Sequence, residues 1–372
     1  MNVRRLLGEH GSLVSLMKIL ITGICGFAGS TLARTFQEFD SGIELRGADN
    51  LSRPGSELNR ARLKSSGIHV FHADMRCRSD VDVAPAVDWV IDAAANPSVL
   101  AGVKGVVSSR QLLEHNLVGT INLLEYCKRT AAGLVLLSTS RVYSIAPLIN
   151  LSVGVENEAY RPQLDSGKVV GLSSEGVAEN FPTQPPISLY GATKLASELL
   201  VLEYAEAFGL PIWINRCGVL AGAGQFGTPD QGIFTFWINS YLRRQPLKYI
   251  GFDGHGHQVR DCLHPWDLGA LIWKQMKSPD RQVERVQNVS GGVASAMSLA
   301  QLSSWCAKRF GKHTVGRDSA SRPYDVPWMV LDSARAERQW DWQPTIRVAQ
   351  ILEEIAQHAE AHAEWLEISG CI

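Results

Sequence analysis

The sequence KILITGICGFAG at residues 18–29 decides the fold of this chain, because a short apolar run breaks there into three glycines spaced three residues apart. The apolar run predicts a buried parallel strand, and the glycines predict a tight turn into a helix over 30–38. In such a turn Gly23 allows a sharp bend, Gly26 lets main chain approach a ligand, and Gly29 lets the helix pack closely on the sheet. The unpaired amides at the helix start would then bind an anion such as a pyrophosphate.

A glycine triplet alone is weak support for a ligand site, since many such triplets are only turns. Its setting here is informative. Residues 45–48 predict a second strand that ends in Asp49. That is about 20 residues past the turn, where dinucleotide-binding folds place the acid that bonds the adenosine ribose hydroxyls. A carboxylate there would repel a 2′-phosphate, so the sequence predicts NAD rather than NADP as the cofactor.

Length and composition limit the classes of protein to be considered. With 372 residues, 45% of them hydrophobic, the chain can bury a large core as one large or two interleaved domains. The net charge of -1 and the pI near 6.8 argue against nucleic acid as a partner. No run of about 18 apolar residues is present, so we expect no membrane span and no membrane partner.

The cysteines and histidines favour neither disulfides nor metal. The seven cysteines have no close metal-ligand spacing, which is typical of free thiols in a reducing compartment and predicts a cytoplasmic protein. His255, His257 and His264 lie close in sequence but lack the i, i+4 spacing of a helical metal site, so we expect no bound metal.

Residues 1–16 are expected to be a loose extension. Glu9 and His10 interrupt what would be the apolar core of a signal peptide, and no small-residue cleavage site follows. Met17 stands directly before the first strand and is an alternative to Met1 as the natural start.

Strand and helix patterns alternate over the first half of the chain. This alternation predicts an α/β fold with a doubly wound parallel sheet of the Rossmann type and a smaller α/β substrate-binding lobe. Ligands should collect at the carboxyl ends of its strands. Further apolar runs that predict strands lie at 68–71, 87–93, 134–137 and 211–216.

The predicted domains interleave in sequence. Residues 17–216 are expected to form the NAD-binding domain, with a Pro-, Gly- and Ser-rich loop at 144–188 that is too long for an ordinary connection. Residues 217–372 would form mainly the nucleotide-sugar-binding lobe, and a segment at about 257–290 would return to the first domain.

Several polar or small residues follow the predicted strands. Asp74 ends the third strand and would accept a bond from the adenine amino group, or else is a solvated loop acid. Ala93, Ala94 and Ala95 end the fourth strand, where small side chains leave room for a cofactor. Asn116 lies in a helical pattern and is unfavourable there unless its amide bonds a specific partner.

Tyr190 and Lys194 are the candidate catalytic pair. They lie four residues apart in a helical segment, so both project from one face. An ammonium near a phenol lowers its pKa and makes it a usable base, and the Thr139 hydroxyl could hold the substrate oxygen in line. Such a pair alone is more often exposed than catalytic, but after a glycine turn and five strand signals it predicts catalysis.

Arg260 is followed directly by Asp261 and has two interpretations. The two side chains could form a structural ion pair. Alternatively, the planar guanidinium could bind a diphosphate.

Together these residues resemble the extended short-chain dehydrogenase/reductases, the family of nucleotide-sugar epimerases and dehydratases. The family elements are Thr22-Gly23-x-x-Gly26-Phe27-x-Gly29, Asp49, Asp74, Asn116, Thr139, Tyr190-x-x-x-Lys194 and Gln258-Val259-Arg260-Asp261. Within the family the sequence is most similar to the CDP-paratose 2-epimerase (CDP-tyvelose epimerase) group. The closer features are Asp49-Asn50-Leu51-Ser52-Arg53, the long segment between Tyr143 and Tyr190, and Gln225-Phe226-Gly227 leading to Asp230-Gln231-Gly232.

The resemblance implies a set of site residues. The catalytic residues would be Thr139, Tyr190 and Lys194. The substrate-binding residues would be Pro97, Thr139, Gln225, Phe226, Gln231, Arg260, Arg322 and Asp325. The NAD-binding residues would be Gly23, Gly26, Phe27, Gly29, Asp49, Asn50, Leu51, Ser52, Arg53, Asp74, Met75, Ala93, Ala94, Ala95, Asn116, Tyr190 and Lys194.

The activity that the resemblance implies is NAD-dependent epimerisation of a nucleotide-activated sugar. Transient oxidation would give a keto-sugar, which is reduced again from its other face. A UDP-sugar 4-epimerase would use the same catalytic residues. A homodimer through helices near 112–128 and 192–208 is also implied, although the apolar faces of those helices are equally explained by the sheet that they cover.

Two other activities are expected less. A 4,6-dehydratase of this family carries an Asp-Glu pair after the threonine, and Ser140 and Arg141 occupy those places here. A non-catalytic dinucleotide-binding regulator would not need Thr139, Tyr190 and Lys194 together.

Overall fold

The structure is a computed structural model that describes residues 16–103, 107–164 and 169–371. The N-terminal extension expected at 1–16 lies outside the described residues, except for Leu16. None of the helices in the described part of the chain is both long and apolar enough to cross a bilayer.

The strands are short and alternate with helices along most of the chain. In chain order they are β1 (Lys18–Thr22), β2 (Glu44–Asp49), β3 (His69–His72), β4 (Trp89–Asp92), β5 (Gly133–Thr139), β6 (Val153–Glu156), β7 (Ala159–Pro162), β8 (Leu172–Ser173), β9 (Gly176–Val177), β10 (Ile212–Cys217), β11 (Val219–Leu220), β12 (Leu247–Ile250), β13 (Val259–Leu263), β14 (Val286–Val289), β15 (Ala296–Ser298), β16 (Val315–Asp318) and β17 (Trp328–Met329).

The helices lie mainly on the two faces of the largest sheet and in the second lobe. They are α1 (Phe27–Phe39), α2 (Ser56–Ser65), α3 (Arg78–Asp82), α4 (Ser109–Leu113), α5 (Gly119–Thr130), α6 (Ile145–Ile149), α7 (Ser188–Phe208), α8 (Ile233–Leu242), α9 (Pro265–Lys277), α10 (Leu299–Phe310), α11 (Ala334–Trp340), α12 (Val348–Ala361) and α13 (Trp365–Ile368). A π-helical turn at Glu114–Val118 joins α4 to α5.

The central sheet is seven-stranded, in the order β14-β10-β5-β4-β1-β2-β3, and every neighbouring pair is parallel. Successive side chains of β1 point to opposite faces. Ile19 and Ile21 pack with Leu32 of α1 in one core layer, whereas Leu20 packs with Leu124 of α5 in the other. The predicted doubly wound Rossmann sheet is therefore confirmed, and its strand order reverses between β1 and β4, where such folds open a ligand crevice.

A smaller lobe packs beside the carboxyl ends of these strands. Its β11, β13 and β15 form a second sheet, β17 pairs with β13, and β12 pairs with β16. Its core includes Phe234 and Trp237 of α8 and Ile355 of α12. From the segment expected to return at 257–290, β14 joins the central sheet and α9 packs on α1, whereas β13 stays in the second sheet. The division into domains at residue 216 stays a prediction.

Two regions contain structure that their composition did not predict. The long segment at 144–188 contains α6 and the hairpins β6-β7 and β8-β9, and Phe181 anchors it in a core with Tyr143. The C-terminal segment has a continuous helical pattern over 346–367, but α12 ends at Ala361 and α13 begins at Trp365. The break turns the Trp365 ring onto Phe226, with ring centroids 4.9 Å apart, so burial of an aromatic ring overrides helix continuity.

Candidate active site

A cavity of about 960 Å³ lies between the central sheet and the smaller lobe. Its walls include the glycine turn, the ends of β2, β4 and β5, the first turn of α7 and loops of the smaller lobe. Ligand sites in proteins have volumes of roughly 300–1,000 Å³, so this cavity is at the upper end of the range. It has room for a large ligand or for two ligands side by side.

The glycine turn at the floor of the cavity has the conformation that the sequence predicted. Gly23 has φ +62°, and its carbonyl accepts a 3.0 Å hydrogen bond from the Gly26 amide. A Cβ at position 29 would lie 2.5 Å from the Gly23 oxygen and 2.7 Å from Ile24 Cα, so only glycine fits there. No side chain caps the start of α1, so its amides remain available to a pyrophosphate. These features fit a dinucleotide.

Asp49 binds the glycine turn as well as facing the cavity. Its Oδ2 accepts a 2.8 Å bond from the Cys25 amide, and its Oδ1 accepts a 2.8 Å bond from the Leu51 amide. Burial raises the pKa of this carboxyl, and the two amide bonds oppose that rise. Each oxygen keeps a lone pair for a further donor such as a ribose hydroxyl.

Asp74 is fixed by an arginine that the sequence analysis did not single out. The Arg76 Nη2 lies 2.6 Å from Asp74 Oδ2, and the Asn50 amide donates to the same oxygen at 3.2 Å. Hydrogen bonds from Arg76 hold the pKa of Asp74 well below its usual range. His115, in the π-helical turn, lines the same end of the cavity. A helical irregularity of this kind often marks a functional site, but the sequence pattern gave no sign of it.

Most of the predicted site residues line the cavity. On the predicted cofactor side these are Gly23, Gly26, Phe27, Gly29, Asp49, Asn50, Ser52, Arg53, Asp74, Met75, Ala93, Ala94, Ala95, Tyr190 and Lys194. On the predicted substrate side they are Pro97, Thr139, Gln225, Gln231, Arg260, Arg322 and Asp325.

Leu51, Asn116 and Phe226 lie behind the cavity wall instead. The side chain of Asn116 is buried. Its Oδ1 accepts a 2.8 Å hydrogen bond from the main-chain amide of Asn96, and its Nδ2 donates to the Asn96 carbonyl at 3.0 Å. Leu51 packs against the core beneath the sheet. The Phe226 ring is buried against Trp365. These three residues are not among those that line the cavity, and their roles in binding stay predictions.

The three predicted catalytic residues meet at one wall of the cavity. Thr139 ends β5, and Tyr190 and Lys194 lie on the first turns of α7. Tyr190 is 7% exposed and Lys194 is 2% exposed, so both side chains are shielded from bulk water. The pair is therefore not the exposed surface pair that such spacing more often represents.

Burial has the largest effect on the pKa of Tyr190. It raises this pKa to about 12, while a hydrogen bond with Thr139 and the charge of Arg141 act to lower it. Burial lowers the pKa of Lys194, and Asp92, Cys217 and Glu198 act to raise it.

Two arginines of the smaller lobe that line the cavity are held by aspartates. Arg260 Nη2 lies 2.6 Å from Asp325 Oδ1, and Arg322 Nη2 lies 2.7 Å from Asp230 Oδ1. Arg260 is therefore paired across the loop rather than with its neighbour Asp261, whose carboxylate accepts bonds from Ser290 and from the Leu331 amide.

Arg53 links the two sides of the cavity. It was predicted to bind cofactor, yet its Nη1 donates to Gln231 Oε1 and its Nη2 donates to the Phe226 carbonyl at 2.5 Å. Gln225 is also bonded within the protein, donating to the Leu220 carbonyl at 2.8 Å. The Arg53 contacts join residues more than 170 positions apart, so no local pattern in the sequence indicates them.

A Rossmann sheet with a glycine turn, an acid after β2 and a shielded Thr-Tyr-Lys trio defines a dinucleotide-dependent enzyme. Residues 19–290 match the NAD dependent epimerase/dehydratase family, and the chain belongs to that family. The family resemblance, the enzyme class and NAD as the cofactor are thereby confirmed.

Individual relatives differ in substrate. The chain is 28% identical to CDP-paratose 2-epimerase of Salmonella typhi over 89% of this chain and 95% of that protein. It is 24% identical to UDP-glucuronate 4-epimerase of Thermodesulfobacterium geofontis over 94% and 98%. A variant of the Bacillus cereus UDP-glucuronic acid 4-epimerase, crystallised with a fluorinated substrate analogue and NAD, superposes with a TM-score of 0.75 at 24% identity over 93% of this chain and 99% of that one.

Proposed function

We propose that this protein is an NAD-dependent epimerase of a nucleotide-activated sugar, acting through a transient keto-sugar. The observation that carries the proposal is the meeting of Thr139, Tyr190 and Lys194 on a shielded wall of the cavity that contains the glycine turn. These groups can move a proton to and from a sugar hydroxyl beside a bound dinucleotide.

Each residue of the trio has a distinct proposed task. Tyr190, as its phenolate, removes the hydroxyl proton from the reacting sugar carbon and later returns it. Thr139 orients the sugar oxygen, and Lys194 binds the nicotinamide ribose. The glycine turn and Asp49 would hold NAD, which would supply reversible hydride transfer to and from that carbon, so the reaction would have no net redox change.

The two arginines of the smaller lobe are proposed to bind the diphosphate. Arg260 and Arg322 present planar donors to the cavity, and both are already held by aspartates. A diphosphate would share or take over these ion pairs. Gln225, Gln231 and Pro97 also line the cavity and are proposed to contact the nucleotide sugar.

The particular substrate is proposed from the relatives. Similarity to the Salmonella typhi enzyme over nearly its full length supports a CDP-paratose 2-epimerase-like activity. The similarity to UDP-glucuronate 4-epimerases supports a UDP-sugar 4-epimerase as the second candidate. Dehydration is not favoured, because a 4,6-dehydratase needs an acid and a base beside the reacting hydroxyl and Arg141 provides neither.

The experiment is analysis of the product by carbon position. Purified protein is incubated with CDP-paratose, UDP-glucuronate and UDP-glucose, and each sugar is examined by NMR. Inversion at one carbon, with no net formation of NADH, is expected. Loss of water to a 4-keto-6-deoxy sugar, or no turnover of any nucleotide sugar by NAD-loaded protein, would contradict the proposal.

A homodimer in the cytoplasm is part of the same proposal. Leu199 and Phe208 on α7, and Val118 before α5, are exposed by 58%, 46% and 37%, which leaves apolar side chains uncovered near the helices expected to pair. The seven cysteines are free thiols, as in proteins of reducing compartments. Sedimentation equilibrium should give the mass of two chains, and Leu199→Glu should give the mass of one.

A further inference from the structure

Gln258 belongs to the motif Gln258-Val259-Arg260-Asp261, and the proposed reaction gives it no task. It lines the cavity, as Arg260 does two residues further on, because residues two apart along a strand face the same side. Gln258 is 9% exposed. A polar side chain that is buried to this extent is expected to have all its hydrogen bonds made.

Only one end of the Gln258 amide is bonded within the described part of the protein. Its Nε2 donates to the Ile250 carbonyl at 3.0 Å and to Asp325 Oδ2 at 3.3 Å. Both partners are acceptors, so they fix which end of the amide carries the hydrogens. The oxygen Oε1 is buried and has no hydrogen-bond partner among the described residues. An unpaired buried acceptor is costly, and a ligand that brings a donor would remove the cost.

Strand β13 fixes the position of Gln258 along the cavity. Cys217 of β10 is the register partner of Thr139 on β5. A Cβ on the next residue, Gly218, would lie 2.5 Å from Asp261 Oδ1, so Asp261 lies beside the catalytic wall. Gln258 precedes Asp261 by three residues, and a strand rises about 3.3 Å per residue. The backbone of Gln258 therefore lies about 10 Å farther along the strand from that wall.

This order matches the parts of a nucleotide sugar. In the proposed function the sugar lies at Thr139 and the diphosphate at Arg260, so the next part outward, the nucleoside, would lie at Gln258. Ile250, whose carbonyl bonds Gln258, and Met297, the register partner of Arg260, give this part of the cavity apolar walls. A pyrimidine base has two apolar faces and a polar edge, so it fits apolar walls with one polar side chain between them.

We propose that Gln258 determines which nucleobase the enzyme accepts, with its Oε1 accepting a hydrogen bond from the exocyclic amino group of cytosine. This inference rests on the proposed function, because it concerns the nucleoside of the same substrate. Cytosine presents a donor at this position of the ring, whereas uracil and thymine present a carbonyl oxygen. Two acceptors cannot bond each other, so the site selects a cytidine diphosphate sugar over its uridine and thymidine counterparts.

Gln287 provides a matched amide away from the cavity. Its Nε2 also donates to two acceptors, the Glu284 carbonyl and Gln339 Oε1, each at 2.7 Å. Its Oε1 is likewise buried without a hydrogen-bond partner among the described residues. Gln287 is not among the residues that line the cavity. Its replacement therefore controls for the loss of a buried amide as such.

The test is nucleotide binding to NAD-loaded protein, which needs no turnover. Isothermal titration calorimetry gives Kd for CDP, for UDP and for the diphosphate of pyrimidin-2-one riboside, which is cytidine without its amino group. The wild type should bind CDP about tenfold more tightly than either of the others, the size expected for one hydrogen bond to a buried acceptor. In Gln258→Leu, CDP should bind only as tightly as the others. Gln287→Leu should keep the tenfold preference.

Three results would overturn the role of Gln258. They are equal binding of CDP and UDP by the wild type, tighter binding of UDP, and an equal loss of all three affinities in Gln258→Leu. The last pattern belongs to a residue that only supports the wall. Melting temperature and NAD content check that each variant is folded, and Gln258→Met, which also lacks an amide, provides a second variant. Absence of turnover of any nucleotide sugar would instead contradict the proposed function, since the binding measurements contain no sugar substrate.

Discussion

The two halves of the cavity are built differently. The cofactor half is determined by main chain: Gly23 turns the backbone, the start of α1 leaves its amides free, and Asp49 is held by two amides. The substrate half is determined by side chains in ion pairs, such as Arg260 with Asp325. If the proposed function is right, NAD would meet a site that is already formed, whereas a nucleotide sugar would exchange partners with the aspartates as it binds.

Tyr190→Phe should give the largest effect, because it should lower kcat strongly while leaving NAD binding in the cofactor half unchanged. Loss of a general base typically costs about 10²–10⁴-fold in rate, so kcat should fall by about a thousandfold. The ring remains, so the NAD content of purified protein should be unchanged. Turnover is measured by NMR of the product sugar and NAD by its release on denaturation. Near-normal kcat in this variant would show that another group is the base.

Gly29→Ala should damage the cofactor half. The added Cβ would lie 2.5 Å from the Gly23 oxygen, and main chain must move to relieve the overlap. We expect at least tenfold less bound NAD and a lower melting temperature, since overpacking costs about 1–3 kcal/mol. Gly119→Ala is the matched control, because the added Cβ would lie 3.4 Å from its nearest neighbour, Met75 Cβ, which is an ordinary contact. Equal NAD content in the two variants would contradict a main-chain origin of cofactor binding.

Arg53→Gln should loosen the link between the halves. It removes the bonds to Gln231 and to the Phe226 carbonyl and leaves these partly buried acceptors without their donor. A lost bond of this kind costs about 1–3 kcal/mol, so KM for the nucleotide sugar should rise roughly tenfold while kcat changes less. Arg53→Lys keeps the positive charge but loses the planar pair of donors, so its KM should lie between those of the wild type and Arg53→Gln. An unchanged KM together with a lower NAD content would show that Arg53 supports cofactor binding alone, and would contradict the proposed link.

The smallest effect is expected from His358, which packs on Trp365 beside the substrate half with ring centroids 4.5 Å apart. Burial and the nearby His362 and Arg62 lower its pKa to about 4. The pKa of His358 in the folded protein lies below its ordinary value of about 6.5. Its contribution to the stability of the folded state is therefore complete above pH 6.5. The contribution is lost as pH falls from about 6.5 to 4. Urea unfolding at pH 7 and pH 5 should show a larger loss of stability in the wild type than in His358→Gln.

The cofactor half was predictable from sequence because its determinants are local. Gly23, Gly29 and Asp49 act through turns and strand ends whose signals span few residues, and the structure places them as expected. Tyr190 and Lys194 were predictable because a helix brings residues four apart to one face. Asn116 matched the same family pattern, yet its amide bonds Asn96, since a motif does not say whether its residue faces the ligand or the wall behind it.

The substrate half was less predictable because its contacts join distant segments. Arg53 and Gln231 are 178 residues apart, and Arg260 and Asp325 are 65 apart, so no local pattern could pair them. The break before Trp365 depended on the buried Phe226 ring that receives it.

The central claim is that one hydrogen leaves the sugar and returns to the same molecule. An equal mixture of unlabelled nucleotide sugar and nucleotide sugar deuterated at every sugar carbon is converted in one reaction in ordinary water, and the carbon-bound deuterium of the product is measured by mass. The account predicts only fully deuterated and fully unlabelled product. Product that has lost or gained a single deuterium, whether by exchange between molecules or with solvent, would contradict it.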